Sequence, residues 1–301
     1  MSNKRNIDSI CGIVSSEANI LIRDSIEIER LQSAEANVLE KFAVASYRKF
    51  TQKIIFKITN LISAYEIRLP AVVQCFYNGR QQSLPIGSII ETKEFEGIGD
   101  RNIGFFMISP IDGMVNFVRS VPSFCSSVAI FVNSDDKVLP HQSLVYDVPN
   151  NKFYTATLGH GAFLNSVKLM VSSRSKIYTS VISVSGLESL IKENQTSPDV
   201  LKLASKVKNI TISAAGHISG IPSQLAACYL AAGKLDIVIE CNLKDPSGIV
   251  SGAIIAKESG CYILNKDGNE ITIDDIVSGQ EKVVILTNRS VVDEVIKVLK
   301  L

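Results

Sequence analysis

Residues 105–117 read F-F-M-I-S-P-I-D-G-M-V-N-F, and V-P-S-F-C-S-S-V-A-I follows at 121–130. An apolar run leaves what reads as a strand. Pro110 and Gly113 bracket a tight turn with Asp112 between them, and the chain then enters a second apolar run. A carboxylate on such a turn, beside glycine amides, can hold a hard cation while the amides face an anion. Acidic residues at turns also satisfy local amides with no further role. Spacing alone leaves both readings open.

Working outward, FCSSVAIFV (124–132), LVYD (144–147) and KFYTAT (152–157) are rich in strand formers, and Pro149-Asn150-Asn151 marks a hairpin between the last two. Upstream, residues 6–33 carry Ile10, Ile13, Val14, Ile20 and Leu21 at roughly helical spacing, and a second helix is expected over 34–61. Residues 62–104 mix strand-like pieces (AVVQCF, SII) with turn residues. Downstream, TSVISVS (179–185) leads to a helix near 186–206. Then come a strand at 209–213, a helix at 222–232, a strand at 235–240 and a helix at 249–258. CYIL, VVILT and a terminal helix from about 290 close the chain. The pattern predicts helices packed on an antiparallel sheet over 1–150 and an α/β layer over 151–301, as two parts or as one continuous domain.

The 31 Lys+Arg against 30 Asp+Glu leave a net charge of +1, and no basic run occurs. Both argue against direct nucleic-acid binding. The apolar fraction of 46% and charged fraction of 20% suit a packed globular chain. Cys11, Cys75, Cys125, Cys228, Cys241 and Cys261 form no C-x-x-C pair, so buried reduced thiols are expected rather than a zinc site or a disulfide framework. Asp8, Ser9, Ser15 and Glu17 interrupt the first apolar stretch, leaving no signal-peptide core, and no window is long enough to span a membrane. A cytoplasmic location is expected.

The 105–117 segment resembles the signature of the inositol monophosphatase family, D-P-[LI]-D-G-T-x-N-F followed by Pro and S-[IV]-A. Other stretches match in order. LIRDSIEIERLQ (21–32) resembles the early helix of bacterial extragenic-suppressor (SuhB-type) members, and GHGAFLNSVKLMVSS (159–173) the G-x-G-A-F-x-N-G hairpin. QLAACYLAAGKLDIVIECNLK (224–244) is similar to A-L-x-L-x-Y-V-A-A-G-R-x-D-x-[YF]-x-E-x-x-L-K, and GAIIAKESGC (252–261) to the L-I-V-x-E-A-G-G helix and turn. The resemblance spans nearly the whole chain and is weakest at 62–100. It implies a layered α-β-α-β-α sandwich, a homodimer, and Mg²⁺-dependent hydrolysis of small phosphate monoesters. In that chemistry, bound ions lower the pKa of an attacking water and stabilise the departing alkoxide.

Carried over by position, the family's site residues are only partly present. The first glutamate of the G-E-E loop matches Glu91, and the second position is Thr92. The metal-bridging Asp is Ser109, the carbonyl ligand is Ile111, and the second Asp is Asp112. The Thr that positions the nucleophilic water is Met114, and its partner Asp aligns with Tyr47. The Trp-Asp pair of W-D-x-A-[AG]-G falls at Ser247 and Gly248. Asp245 is the one nearby carboxylate that could take the vacant ligand position. Gly113 and the Met114 backbone retain the phosphate-facing turn, and Glu240 aligns with the residue that binds substrate hydroxyls. His160 and His217 match no ligand, and Asp236 is expected to cap or pair locally.

The resemblance therefore implies a divergent member with weakened or absent Mg²⁺ binding, because a serine cannot bridge two ions as a carboxylate does and a thioether suits a hard cation poorly. Each lost oriented group removes about 10²–10⁴-fold in rate. A binding or regulatory role is expected, with a phosphate-ester or polyol ligand. A transcription-machinery protein is the expected partner by family analogy. The alternative is an active phosphatase of inositol-1-phosphate-like esters.

Overall fold

A computed structural model describes residues 2–30, 36–64, 71–73, 75–77, 80–82, 102–134, 137–186, 203, 205–207, 209–213, 220–241, 243 and 246–300. The chain divides into two compact units, Met1–Phe153 and Tyr154–Leu301.

In the first unit, α1 (Ser2–Arg30) and α2 (Ala36–Ala64) pack on each other. The helix expected at 6–33 thus begins earlier and ends sooner. Buried positions on α1 include Ile10, Val14, Glu17, Leu21, Asp24 and Ile28, spaced by four and three as in a heptad seam, with Ala18 and Ile20 buried beside them. Leu39, Ala43, Ser46, Phe50 and Ile54 are their counterparts on α2. The two acidic members of the seam are partnered. Glu17 pairs with Lys57, and with Lys53 at 3.5 Å. Asp24 accepts from the Ser46 hydroxyl and pairs with Arg23 at 2.9 Å. Position 17 thus meets 53–57 while position 24 meets 46, which fixes an antiparallel register.

The helices cover a sheet in which β1 (Ala71–Val73) runs parallel to β4 (Asn102–Asp112). β5 (Cys125–Ser134) and β6 (Lys137–Asp147) continue it antiparallel. Ile108, Val128, Ile130, Leu144 and Tyr146 join the helix seam in one apolar cluster with Phe117 and Phe124. Val128 and Ile130 on β5, and Leu144 and Tyr146 on β6, reach it from alternate positions, as the strand period requires. β2 (Cys75–Tyr77) and β3 (Arg80–Gln82) form a separate hairpin, and the SII piece at 88–90 lies outside the described residues.

The unit boundary falls inside β7 (Lys152–Thr157), which pairs with β8 (Gly161–Leu164) and then β9 (Val167–Lys168) in antiparallel hairpins. The second unit's main sheet has the order β11 (Asn209–Ser213), β10 (Val181–Ser185), β12 (Ile237–Glu240), β14 (Val284–Asn288), β13 (Cys261–Leu264). Its first three strands are parallel, and the last two are antiparallel to their neighbours. Of the helix expected near 186–206, only a few C-terminal residues are described, with Leu203 and Ser205 helical.

α4 (Ser223–Ala231) and α5 (Val250–Glu258) pack closely. A Cβ at Gly252 would stand 2.7 Å from the Ala227 Cβ, so only glycine allows this approach. α6 (Ile273–Val277) and α7 (Val292–Leu299) complete the described elements.

Asp236 is fully buried, and its partners are distant in sequence, unlike the local pairing expected for it. Its carboxylate accepts from the Val181 amide at 2.9 Å, Asn288 Nδ2 at 3.1 Å and Arg174 Nη1 at 3.3 Å. A buried carboxylate is tolerated when ion pairing and amide donors replace its water. Among the described residues, no helix is long and apolar enough to cross a membrane.

Candidate functional site

Pro110 does not begin a turn; it lies within β4. Ser109 is opposite Ser127 and Asp112 opposite Cys125, so β4 carries one residue more than β5 over this step. Such a bulge accommodates a proline that cannot donate to the ladder. The reversal falls on Gly113 alone, which adopts φ 88° and ψ 37°. Its carbonyl accepts from the Phe117 amide at 3.0 Å and starts the short helix α3 (Met114–Val118). The first amides of any helix lack acceptors within it, so this turn presents donors beside the half-buried Asp112.

Beyond α3, Asn116 secures the return into β5. Its Nδ2 donates to the Ser123 carbonyl at 2.7 Å, and its own carbonyl accepts from the Val121 amide at 2.8 Å. Ser109 is buried, and the hydroxyl of Ser127 opposite it is buried with no hydrogen-bond partner among the described residues. Ile111 places its side chain in the apolar cluster, and Met114 packs against the same cluster.

The second unit assembles a different group of polar residues. Ser185 ends β10 and Glu240 ends β12, and the two are register partners in parallel strands. Their side chains therefore share a face at the carboxyl edge of the sheet, where open α/β sheets bind ligands. The Ser223 hydroxyl, at the start of α4, donates to Glu240 Oε2 at 2.7 Å. The Ser185 hydroxyl is buried without a hydrogen-bond partner among the described residues.

Gln224, the next residue of α4, is fully buried. Its Nε2 donates to the Ser247 carbonyl at 2.6 Å, and its Oε1 accepts from the Gly252 amide at 2.6 Å. It thus ties down both the 3₁₀ turn Pro246–Gly248 and the first turn of α5, which has no side-chain cap of its own. At Gly248, an added Cβ would meet nothing within 4 Å.

Several expected site residues fall elsewhere. Glu91, Asp245 and His217 lie outside the described residues, and Tyr47 belongs to α2. His160 is exposed at the β7–β8 turn. Cys11, Cys125, Cys228, Cys241 and Cys261 are free thiols, and burial pushes Cys11 and Cys261 up to about 12 each, far from a reactive thiolate.

Ser185, Ser223 and Gln224 are polar contributors that motif matching passes over. The available signals were a serine closing an apolar strand, V-I-S-V-S, and an amide opening the otherwise apolar helix S-Q-L-A-A-C-Y-L-A.

The profile of the inositol monophosphatase family matches residues 70–297. The fructose-1,6-bisphosphatase/inositol-1-monophosphatase of Methanocaldococcus jannaschii is 29% identical over 194 residues, covering 64% of this chain and 69% of its own. The Nus factor SuhB of Buchnera aphidicola is 28% identical over 239 residues, covering 78% and 79%. The crystal structure of the extragenic suppressor protein SuhB from Bartonella henselae superposes with a TM-score of 0.68 at 21% identity, covering 98% of both chains, a likeness of fold. With the profile matching most of its length, this chain belongs to the inositol monophosphatase family.

Proposed function

We propose that this chain binds a small hydroxyl-bearing ligand, a polyol or its phosphate ester, and hydrolyses phosphate esters weakly or not at all. Its role is then binding or regulation. The observation that carries this reading is Met114. Where the family places the threonine that orients water, this side chain is apolar and packs against the cluster of Phe117 and Phe124. The remaining donors do not suit a pair of divalent ions. In the first unit they are the Asp112 carboxylate, the Ser109 hydroxyl and the Ile111 carbonyl, and in the second Gly248 brings no side chain. Two divalent cations and a phosphate need more negative charge than one such carboxylate supplies. Glu91 and Asp245 are the candidates to add to it, and Mg²⁺ binding is proposed to be weak.

The ligand-binding half of the proposal rests on Ser185, Ser223 and Glu240. A buried carboxylate can accept from the hydroxyls of a polyol, and the Ser185 hydroxyl is a donor of matching kind. Such a site binds without chemistry. Relatives named as Nus factors support a protein partner in the transcription machinery, and the family supports a homodimer. Gly113 and the Met114 amide are proposed to face the phosphate of an ester ligand.

Thermal melts with myo-inositol in the presence of EDTA test the binding claim. A ligand that binds only the folded protein raises Tm. The expected result is a Tm that rises with myo-inositol concentration and no longer does so in Glu240→Ala. A Tm indifferent to myo-inositol would contradict the reading.

A further inference from the structure

Two consecutive residues of α4 reach the end of β12 and the 3₁₀ turn before α5. Ser223 donates to the Glu240 carboxylate at 2.7 Å, and Gln224 donates to the Ser247 carbonyl at 2.6 Å. Gln224 also accepts from the Gly252 amide at 2.6 Å, taking a helix-start donor that no residue of α5 caps. Both polar atoms of one fully buried amide are thereby used on backbone groups of a neighbouring turn and helix. Close packing makes the arrangement rigid. Gly252 lacks the Cβ that would strike Ala227, so α4 and α5 approach closely enough for a single side chain to span them.

We propose that Ser223–Gln224 is a positioning clamp that holds Glu240 and the 3₁₀ turn at Ser247 in ligand-ready form with no metal ion required. The clamp rests on the proposed binding site. Its purpose is preorganisation: a carboxylate already oriented costs the ligand less ordering. Ser223 sets the carboxylate's direction, and Gln224 fixes the neighbouring turn at Ser247. No side chain at Gly248 contributes, and none is needed.

The experiment follows backbone amide exchange by NMR and myo-inositol affinity by calorimetry on the full chain. In the unaltered protein, the Gly252 amide is expected to be as protected as the interior of α5, equally in Mg²⁺ and in EDTA. Fast exchange at Gly252, or protection that appears only with Mg²⁺, would overturn the clamp. This outcome does not depend on ligand binding. Absence of myo-inositol binding with Gly252 still protected would instead remove the binding reading alone.

Gln224→Glu, assayed at a pH where the carboxyl is ionised, separates the two bonds, because it keeps the acceptor for Gly252 and loses the donor to Ser247. Retained Gly252 protection with affinity reduced about tenfold is expected. Unchanged affinity would show that Gln224 only braces the helices. Gln224→Met, which removes both bonds at similar volume, is expected to lower Gly252 protection and affinity together, and serves if the glutamate variant does not fold. Unchanged affinity in this variant also contradicts the clamp.

Discussion

Gly113 and Asp236 each hold a local structure in place, Gly113 the entry to α3 and Asp236 the amino-terminal ends of β10 and β12. Gly113 sits at φ 88°, where a residue with a Cβ loses roughly 1–2 kcal/mol. Gly113→Ala is therefore expected to lower stability by about that amount, read as a lower denaturation midpoint with unchanged slope. Asp236→Ala leaves the Val181 amide and the Asn288 side chain without their buried acceptor. A cost of about 3 kcal/mol is expected, measured by the same titration. Gly113 was legible in the sequence because a glycine after Pro-Ile-Asp signals a reversal. Asp236 was not, because K-L-D-I-V-I-E looks like an ordinary strand entry and its partners lie 52 to 62 residues away. Met114 was legible only as a mismatch; its packing against the Phe117 cluster is tertiary.

At the scale of elements, α1 and α2 are joined by charges inside an apolar seam. Burial by itself would raise the Glu17 carboxyl, but the Lys57 hydrogen bond and the charges of Lys57 and Lys53 hold it below the usual range. A depressed folded-state pKa adds stability above the unfolded value, and that stability is lost as pH falls through the folded value. Glu17→Gln is thus expected to melt lower than the parent near neutral pH and to converge with it in acid. Thermal melts across pH check this, and a gap that stays constant in acid would contradict it.

Strands such as 152–157, 209–213 and 261–264 were readable to the residue because β-branched and aromatic runs end at turn residues. β4 was not, because a proline at a bulge looks like a proline at a turn. The short helix α6 went unread although Thr272 and Asp275 form a reciprocal capping box, with the Asp275 amide donating to the Thr272 hydroxyl at 3.2 Å. Five residues carry too little periodicity to register.

At the scale of the molecule, ordered motifs made the family legible, whereas the contacts of Ser185, Ser223 and Gln224 are ones that no motif encodes. Reintroducing the family residues together, as Ser109→Asp, Met114→Thr, Tyr47→Asp and Gly248→Asp, asks whether the scaffold still supports turnover. The open space at Gly248 favours accepting the new carboxylate. Mg²⁺-dependent phosphate release is expected to appear in that variant, and its absence would show that the departures extend beyond these positions. The most direct test of the central claim is phosphate release from inositol-1-phosphate by the unaltered chain, with and without millimolar Mg²⁺ and with Asp112→Ala as control. The account predicts release no faster than the control under either condition. Turnover that requires Mg²⁺ and disappears in Asp112→Ala would contradict it, and would make Asp245 the next residue to replace.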